Sequence, residues 1–328
     1  MNSFFKKNGS LISTFFLIAI TFWLVFLILI PQLYMLDLSF RPNLPPLLRG
    51  GPDDVYTLTH YKHFVFGSET SKDTYNYVDI GVFVDTIGTA ILVTIINLCF
   101  CYPIAFYIAK LATPNATRLL ILALIIPFWI NELLRSFAIR ILFAGEGVIN
   151  NLLIELGLLD VAVNFIALDV ALYTGLTYAY ILLMIFPLYN ALETLDTNQL
   201  EAAKDLGSST IRTHWRIVIP HAKAGIASGS TMVFMLTAGA LATPVVLSSP
   251  NTFWFTQLIY QWFNMNDNWS RGSAYSIILL VVSVAFVLLM MRLFKVTIGE
   301  VVRWPQSVRS RFFFVSIFLY FFYTYLAL

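Results

Sequence analysis

The chain has 328 residues, 59% of them hydrophobic and only 12% charged, with a mean hydropathy of +0.78. That charge content is about half the roughly 25% of an ordinary soluble domain, so the composition excludes a water-clothed globule and requires an integral membrane protein. A formal net charge of +2 is too small to argue for a nucleic-acid partner, and where the charges lie carries more information.

A membrane span needs about 20 apolar residues, because roughly 1.5 Å per residue must cross about 30 Å of hydrocarbon. In chain order such runs lie near Leu11–Ile30, Val82–Ala109, Leu119–Phe137, Val170–Leu188, Gly225–Leu247 and Ser273–Leu293. All six are expected to be helices, since open backbone in lipid leaves amides unsatisfied and closed β-barrels lack such long apolar runs. The first run is too long for a signal peptide and no small-residue cleavage site precedes Pro31, so it reads as a retained anchor. With the N-terminus inside, the cytoplasmic segments hold the larger share of the 20 Lys and Arg, and the outer ones are spread over longer loops. That distribution follows the positive-inside rule and places the segment 190–224 in the cytoplasm.

The expected organisation is an N-terminal tip and first span over 1–31, an external loop over 32–80, a membrane core over 81–294 and a basic linker with a hydrophobic tail over 295–328. In the external loop His60 and His63 stand at i, i+3, but no third ligand lies nearby and no metal site is expected. Cys99 and Cys101, two apart within the second span, point to different helix faces; they read as small apolar residues, without disulfide or metal. The less apolar segment Asn131–Leu168 leaves room for a partial helix around Asn150–Leu156. A second outer loop, Ser248–Gly272, is rich in Trp, Asn and Tyr, as suits a membrane interface. The tail Phe312–Leu328 is almost purely aromatic and aliphatic; at about 1.5 Å per residue it reaches roughly 25 Å. It reads as a seventh crossing, with an interfacial helix as the competing assignment.

Between the fourth and fifth runs lies a polar, turn-broken insert, Glu201–Pro220. Asp196 and Gln199 have the spacing of an N-cap and its reciprocal partner, so a helix is expected to begin near Thr197. Gly207 suits a helix-ending left-handed position, Ser208 or Ser209 can cap a second helix, and Pro220 is expected to terminate or bend it. Ala202 and Ala203 lack bulk, so another protein can approach this backbone closely. Two short helices at an angle would form a knob for a partner's groove; capping alone favours an ordinary amphipathic cytoplasmic loop.

The complete spacing decides between them. Glu201-Ala202-Ala203, then Gly207, then Ile217 and Ile219-Pro220, resembles the EAA loop of permease subunits in binding-protein-dependent ABC importers, with Ile219 where that family usually has Leu. Thr57-Leu58 with Tyr61 resembles the short helix that precedes the permease core. Ile126-Pro127-Phe128-Trp129 with Asn131 and Leu134-Arg135 is similar to a run in the third span of spermidine/putrescine ABC permeases, and Asn150-Asn151-Leu152-Leu153 with Leu156-Gly157 is similar to their following segment. Gly239 with Ala242-Thr243-Pro244 and Leu247, and Asn268-Trp269 with Gly272-Ser273-Ala274, match further stretches; Ser248-Ser249 replace the family's glycines. The resemblance runs from about Leu11 to Leu293 and implies an all-α, six-helix type I ABC importer permease in the bacterial inner membrane. It implies two ATP-binding subunits, a second permease subunit and an external polyamine-binding protein as partners. This chain has no phosphate-binding loop, so nucleotide would bind a partner; no catalytic role, cofactor or metal is expected on it.

A polyamine is a flexible polycation, so its path should combine carboxylates for ammonium groups with aromatic faces. Trp129 and Glu132 stand three apart at the end of the third expected span, hence on one helix face; Asp85 lies near the start of the second, and Tyr178 and Tyr180 lie in the fourth. Each has a plainer reading: Glu132 paired with Arg135, Asp85 complementing a helix N-terminus, Trp129 anchoring at the interface, the tyrosines packing helices. His214 and His221 flank the second loop helix as candidate pH sensors or ordinary loop histidines. Competing functions are the same machine carrying ferric iron, thiamine or an aminoalkylphosphonate, and a secondary transporter, which would need inverted repeats and a buried ionisable relay. An intramembrane enzyme is disfavoured, since all four histidines fall in loops.

Overall fold

The computed structural model describes residues 10–45, 48–67, 75–250 and 252–296, and these are helical with no strand among them. The tail Phe312–Leu328 lies outside the described residues. The chain divides into two compact units. One holds the described residues up to Ile87 together with Pro250–Val282; the other holds Gly88–Ser249 and the described residues from Ser283 on.

Four helices are long and apolar enough to cross a membrane: Thr14–Ser39, Tyr77–Leu111, Val170–Glu193 and Trp269–Phe294. The first joins α1 (Ser10–Leu24) to α2 (Ile30–Ser39) through the wide turn Val25–Leu29 just before Pro31. From Phe15 to Leu36 its large apolar side chains are mostly exposed, as lipid permits. Between the first and second long helices, α3 (Thr59–Phe66) stands where the short helix before the core was expected. The second long helix is α4 (Tyr77–Phe106), extended to Leu111 by another wide turn.

The third expected span, Leu119–Phe137, is not one helix. Helix α5 (Pro114–Ile125) with the tight turn Ile126–Trp129 meets α6 (Glu132–Leu142) at 94°. Pro127 lacks a backbone donor, Ile130 is extended, and the Asn131 side chain starts the new helix by accepting the Leu133 N–H at 2.8 Å. Trp129 and Glu132 therefore do not share a helix face, which corrects the expectation drawn from their spacing. The short helix α7 (Val148–Glu155) falls where a partial helix was expected. The fully buried Asn150 ties it down, donating to the carbonyls of Ala144 and Val163 and accepting the Val163 N–H, each at 2.9 Å.

The fifth expected span, Gly225–Leu247, is likewise divided. After α8 (Val170–Glu193) and the polar insert, α11 runs from Ile219 to Ala238 and ends at Gly239; the separate helix α12 covers Ala242–Leu247. Between them in sequence α9 (Thr197–Asp205) and α10 (Thr210–Thr213) form the insert itself. The apolarity of α11 is diluted by Gly, Ser and Thr because it packs inside its unit: Gly225, Ser228, Gly229, Ser230 and Thr237 are all buried. Small residues let two helix backbones approach closely, the usual basis of packing in membranes. A Cβ on Gly225 would stand 2.5 Å from the Pro187 carbonyl oxygen of α8, and one on Gly229 would stand 2.8 Å from the Met184 sulfur. Gly225→Leu is accordingly expected to force the two helices apart at a cost of about 1–3 kcal/mol, read as a lower thermal midpoint in detergent.

The other unit is closed by α13 (Phe255–Asn264) and the first part of α14 (Trp269–Phe294). Phe255, Ala274 and Tyr275 are fully buried there, and Phe64, Phe83 and Trp262 pack around them. Tyr275 donates its hydroxyl to Asp79 Oδ2 at 2.5 Å, and Asn76 donates to the same oxygen at 2.8 Å. The two histidines of α3 serve this packing: His60 Nε2 lies 2.9 Å from the Arg41 carbonyl oxygen, and His63 Nδ1 lies 3.2 Å from the Tyr275 hydroxyl. Tyr275→Phe removes a charge-assisted bond from a buried carboxylate, an expected loss of about 1.5–3 kcal/mol, measurable by thermal denaturation of the purified chain.

Candidate functional site

The polar insert is an elbow of two short helices. Asp196 caps α9 by accepting the Asn198 N–H at 3.0 Å, so the helix starts at Thr197 as expected. It stops because Gly207 takes the left-handed conformation, φ +70°. The Gly207 N–H then bonds the Lys204 carbonyl and the Ser208 N–H bonds the Ala203 carbonyl, each at 2.9 Å. This paired closure satisfies the carbonyls of the last turn. Ser209 begins α10, its hydroxyl accepting the Arg212 N–H at 3.4 Å.

Pro220 does not end the helix, one of the two outcomes expected of it. The wide turn His214–Val218 immediately precedes it, and the helix continues through Pro220 into α11. A proline has no N–H for the carbonyl four residues back, and the wider turn accommodates that missing bond. Ala203 and Val218 are buried while Glu201 and Ala202 face outward. Around them the elbow exposes Leu206 at 88%, Ile211 at 73% and Trp215 at 68%. These three were not singled out from the sequence; apolar residues in an otherwise polar loop were the available signal. His214 Nδ1 lies 2.7 Å from the Tyr102 hydroxyl and its ring meets Phe106 edge-on, so burial holds its pKa below the ordinary value. Lys110 donates to the carbonyls of Glu193 and Leu195, fixing the start of the insert to the end of the second long helix.

A second cluster gathers where the two broken helices meet. Glu132, the first residue of α6, accepts the Thr243 hydroxyl on Oε1 at 2.8 Å and lies 3.4 Å from the Tyr180 hydroxyl. Ser136, one turn on, donates to the Glu132 carbonyl at 2.9 Å and lies 3.3 Å from the Thr243 hydroxyl. Arg140 donates to the Val246 carbonyl, holding α6 to the end of α12. The structure thus joins Glu132 with Tyr180 through a hydroxyl cluster, adding Thr243 and Ser136 to the residues singled out from sequence. Glu132 forms no ion pair with Arg135; that guanidinium lies over the rings of Phe128 and Tyr178 instead. Trp129 is 86% exposed and takes no part in the cluster. Asp85 is exposed and belongs to the other unit.

Broken apolar helices around a polar junction, with a polar elbow between two spans, define the fold of an ABC-transporter permease. The chain superimposes with a TM-score of 0.61 on a bacterial ABC transporter involved in the import of the acidic polysaccharide alginate, covering 88% of this chain and 96% of that one at 17% identity. No protein-family model matches the sequence. Among curated proteins it is 31% identical over 261 residues to the spermidine/putrescine transport system permease protein PotB of Haemophilus influenzae, spanning 79% of this chain and 86% of that protein. PotB of Escherichia coli K12 is 31% identical over 274 residues, 81% of this chain and 92% of the relative. The inner membrane ABC transporter permease protein YdcU of the same organism is 28% identical over 280 residues, covering 80% and 88%. The chain belongs to the PotB family of spermidine/putrescine transport system permeases. It is a multi-pass inner-membrane permease subunit.

Proposed function

We propose that this chain is the permease subunit through which an ATP-driven importer moves polyamines across the inner membrane, with its N-terminus in the cytoplasm. Two ATP-binding subunits would grip the elbow Glu201–Pro220, a second permease subunit would complete the path, and an external polyamine-binding protein would deliver cargo. The names of the relatives support the cargo class. The observation that carries the mechanism is the mechanical continuity from elbow to carboxylate. From Thr210 the helix runs without interruption to Ala238, and α11 alone, with 20 residues, is about 30 Å long. It packs on α8 through Gly225 and Gly229, and after three intervening residues α12 begins, whose Thr243 holds Glu132.

Closure of the ATP-binding subunits would therefore displace α11 as a rod and shift Thr243 relative to Glu132. That couples nucleotide to the polar junction by rigid-body movement of packed helices. Glu132 would meet an ammonium group with a carboxylate held by neutral hydroxyls, which orient it without cancelling its charge. Ala202 lets the partner's backbone close on the elbow, and Leu206, Ile211 and Trp215 supply apolar contact area beside Glu201, Gly207, Ile217 and Ile219. The test is uptake of radiolabelled spermidine and putrescine by the assembled transporter in proteoliposomes. ATP-dependent, saturable uptake of a polyamine is expected. A transporter that moves ferric iron, thiamine or an aminoalkylphosphonate instead would overturn the cargo assignment, and uptake indifferent to ATP would overturn the importer.

A further inference from the structure

We propose that the cleft between the Phe128 and Tyr178 rings is a seat for an alkylammonium group of the cargo, and that Arg135 occupies this seat as a tethered cation while cargo is absent. The inference rests on the polyamine reading and deepens it. Arg135 is only 8% exposed, and its Cζ lies 5.3 Å from the centroid of Phe128 and 5.8 Å from that of Tyr178. Its buried Nε–H has no acceptor, and it forms no ion pair among the described residues. Buried charges are ordinarily paired. Two arginines show the contrast: Arg140 has the Val246 carbonyl, and Arg41 has Asp37 and Asp54, whereas Arg271, with its Cζ 4.5 Å from the centroid of Trp262, also stands over a ring.

The position of Arg135 is unfavourable in a second way. It stands in the first turn of α6, where the aligned peptide dipoles already present positive charge. What attracts the guanidinium is the pair of aromatic faces, and that attraction acts on any cation, an ammonium included. Glu132, three residues earlier, is held on Oε1 by hydroxyls rather than by Arg135, and its Oε2 makes no hydrogen bond among the described residues. The cluster therefore offers what a cationic cargo needs, two ring faces and a carboxylate oxygen, with an internal cation already over the rings.

An arriving ammonium must displace Arg135, and the two positive charges repel in proportion to the charge of the cargo. The internal cation would keep the seat filled between transport cycles and set a threshold for entry. Removing its charge while keeping length and polarity or bulk, with R135Q and R135M, should then ease cargo entry, whereas R135K should behave as the parent chain does.

The experiment is polyamine uptake by the full transporter in proteoliposomes, with assembly monitored by co-purification of the partner subunits. R135Q and R135M are expected to lower the half-saturation concentration for spermidine by about threefold or more, the scale of a cation–π contact. The trivalent cargo spermidine should gain more than the divalent putrescine. Half-saturation that is unchanged, raised, or altered equally for both cargoes overturns the tethered-cation role. So does failure of both neutral variants to assemble while R135K assembles, which would assign the charge to the architecture. F128L, which keeps the arginine and removes half the seat, should raise half-saturation, and more for spermidine; no change there removes the seat. If the unaltered transporter takes up no polyamine at all, the cargo reading fails first, and that result is distinguishable from every outcome at Arg135.

Discussion

Gly207→Pro is expected to abolish coupled transport, lowering ATP-driven uptake about tenfold or more, the equivalent of about 1.4 kcal/mol. Gly207 has φ +70°, whereas proline is locked near −65°. The substitution also deletes the N–H that bonds the Lys204 carbonyl. Both losses fall on the closure that sets the angle between α9 and α10, so the elbow changes shape while the apolar spans that govern insertion are untouched. Glu201→Lys tests the same surface without disturbing its fold. The Glu201 carboxylate is exposed and makes no hydrogen bond or ion pair among the described residues, so reversing it leaves the elbow intact. Uptake is expected to fall and stimulation of ATP hydrolysis by loaded binding protein to disappear, with normal amounts of the chain in the membrane. Both variants retaining uptake and stimulated hydrolysis would remove the docking role from Glu201–Pro220.

Glu132→Gln carries the second large effect. Glutamine keeps the length of the side chain and an oxygen that accepts from Thr243 and Tyr180, so the hydroxyl cluster at the helix junction survives. What disappears is the negative charge. A hydrogen bond to a charged group contributes about 1.5–3 kcal/mol, so the half-saturation concentration for a polyamine is expected to rise by about tenfold or more while the complex assembles normally. Thr243→Val should produce a weaker version of the same change, because it releases the carboxylate without neutralising it. Unaltered uptake kinetics in E132Q would take Glu132 out of the cargo path.

The elbow was the most legible part of this protein. Asp196, Gly207 and Ser209 act on their own next few residues, so their capping chemistry could be assigned from the linear order alone. Of the two outcomes expected at Pro220, termination did not occur, because the wide turn His214–Val218 let the helix continue. The junction was half legible. Glu132 and Tyr180 stood out as polar groups in apolar runs, but Thr243 lies 111 residues from Glu132 and had no local sign of its role. Trp129 was misplaced because a shared helix face was assumed across a helix that breaks at Ile130.

From the order of residues alone follow the membrane class, the four unbroken spans and the polar insert, because helix rise and bilayer thickness set the length of an apolar run and caps act within one turn. Tertiary structure alone decided where the other two apolar runs divide and which residues meet there. At the first break Asn131 accepts the Leu133 N–H locally, but the bonds that join the two divided runs, from Thr243 to Glu132, from Ser136 to Thr243 and from Arg140 to the Val246 carbonyl, come from packing between segments far apart in sequence, which no local pattern announces.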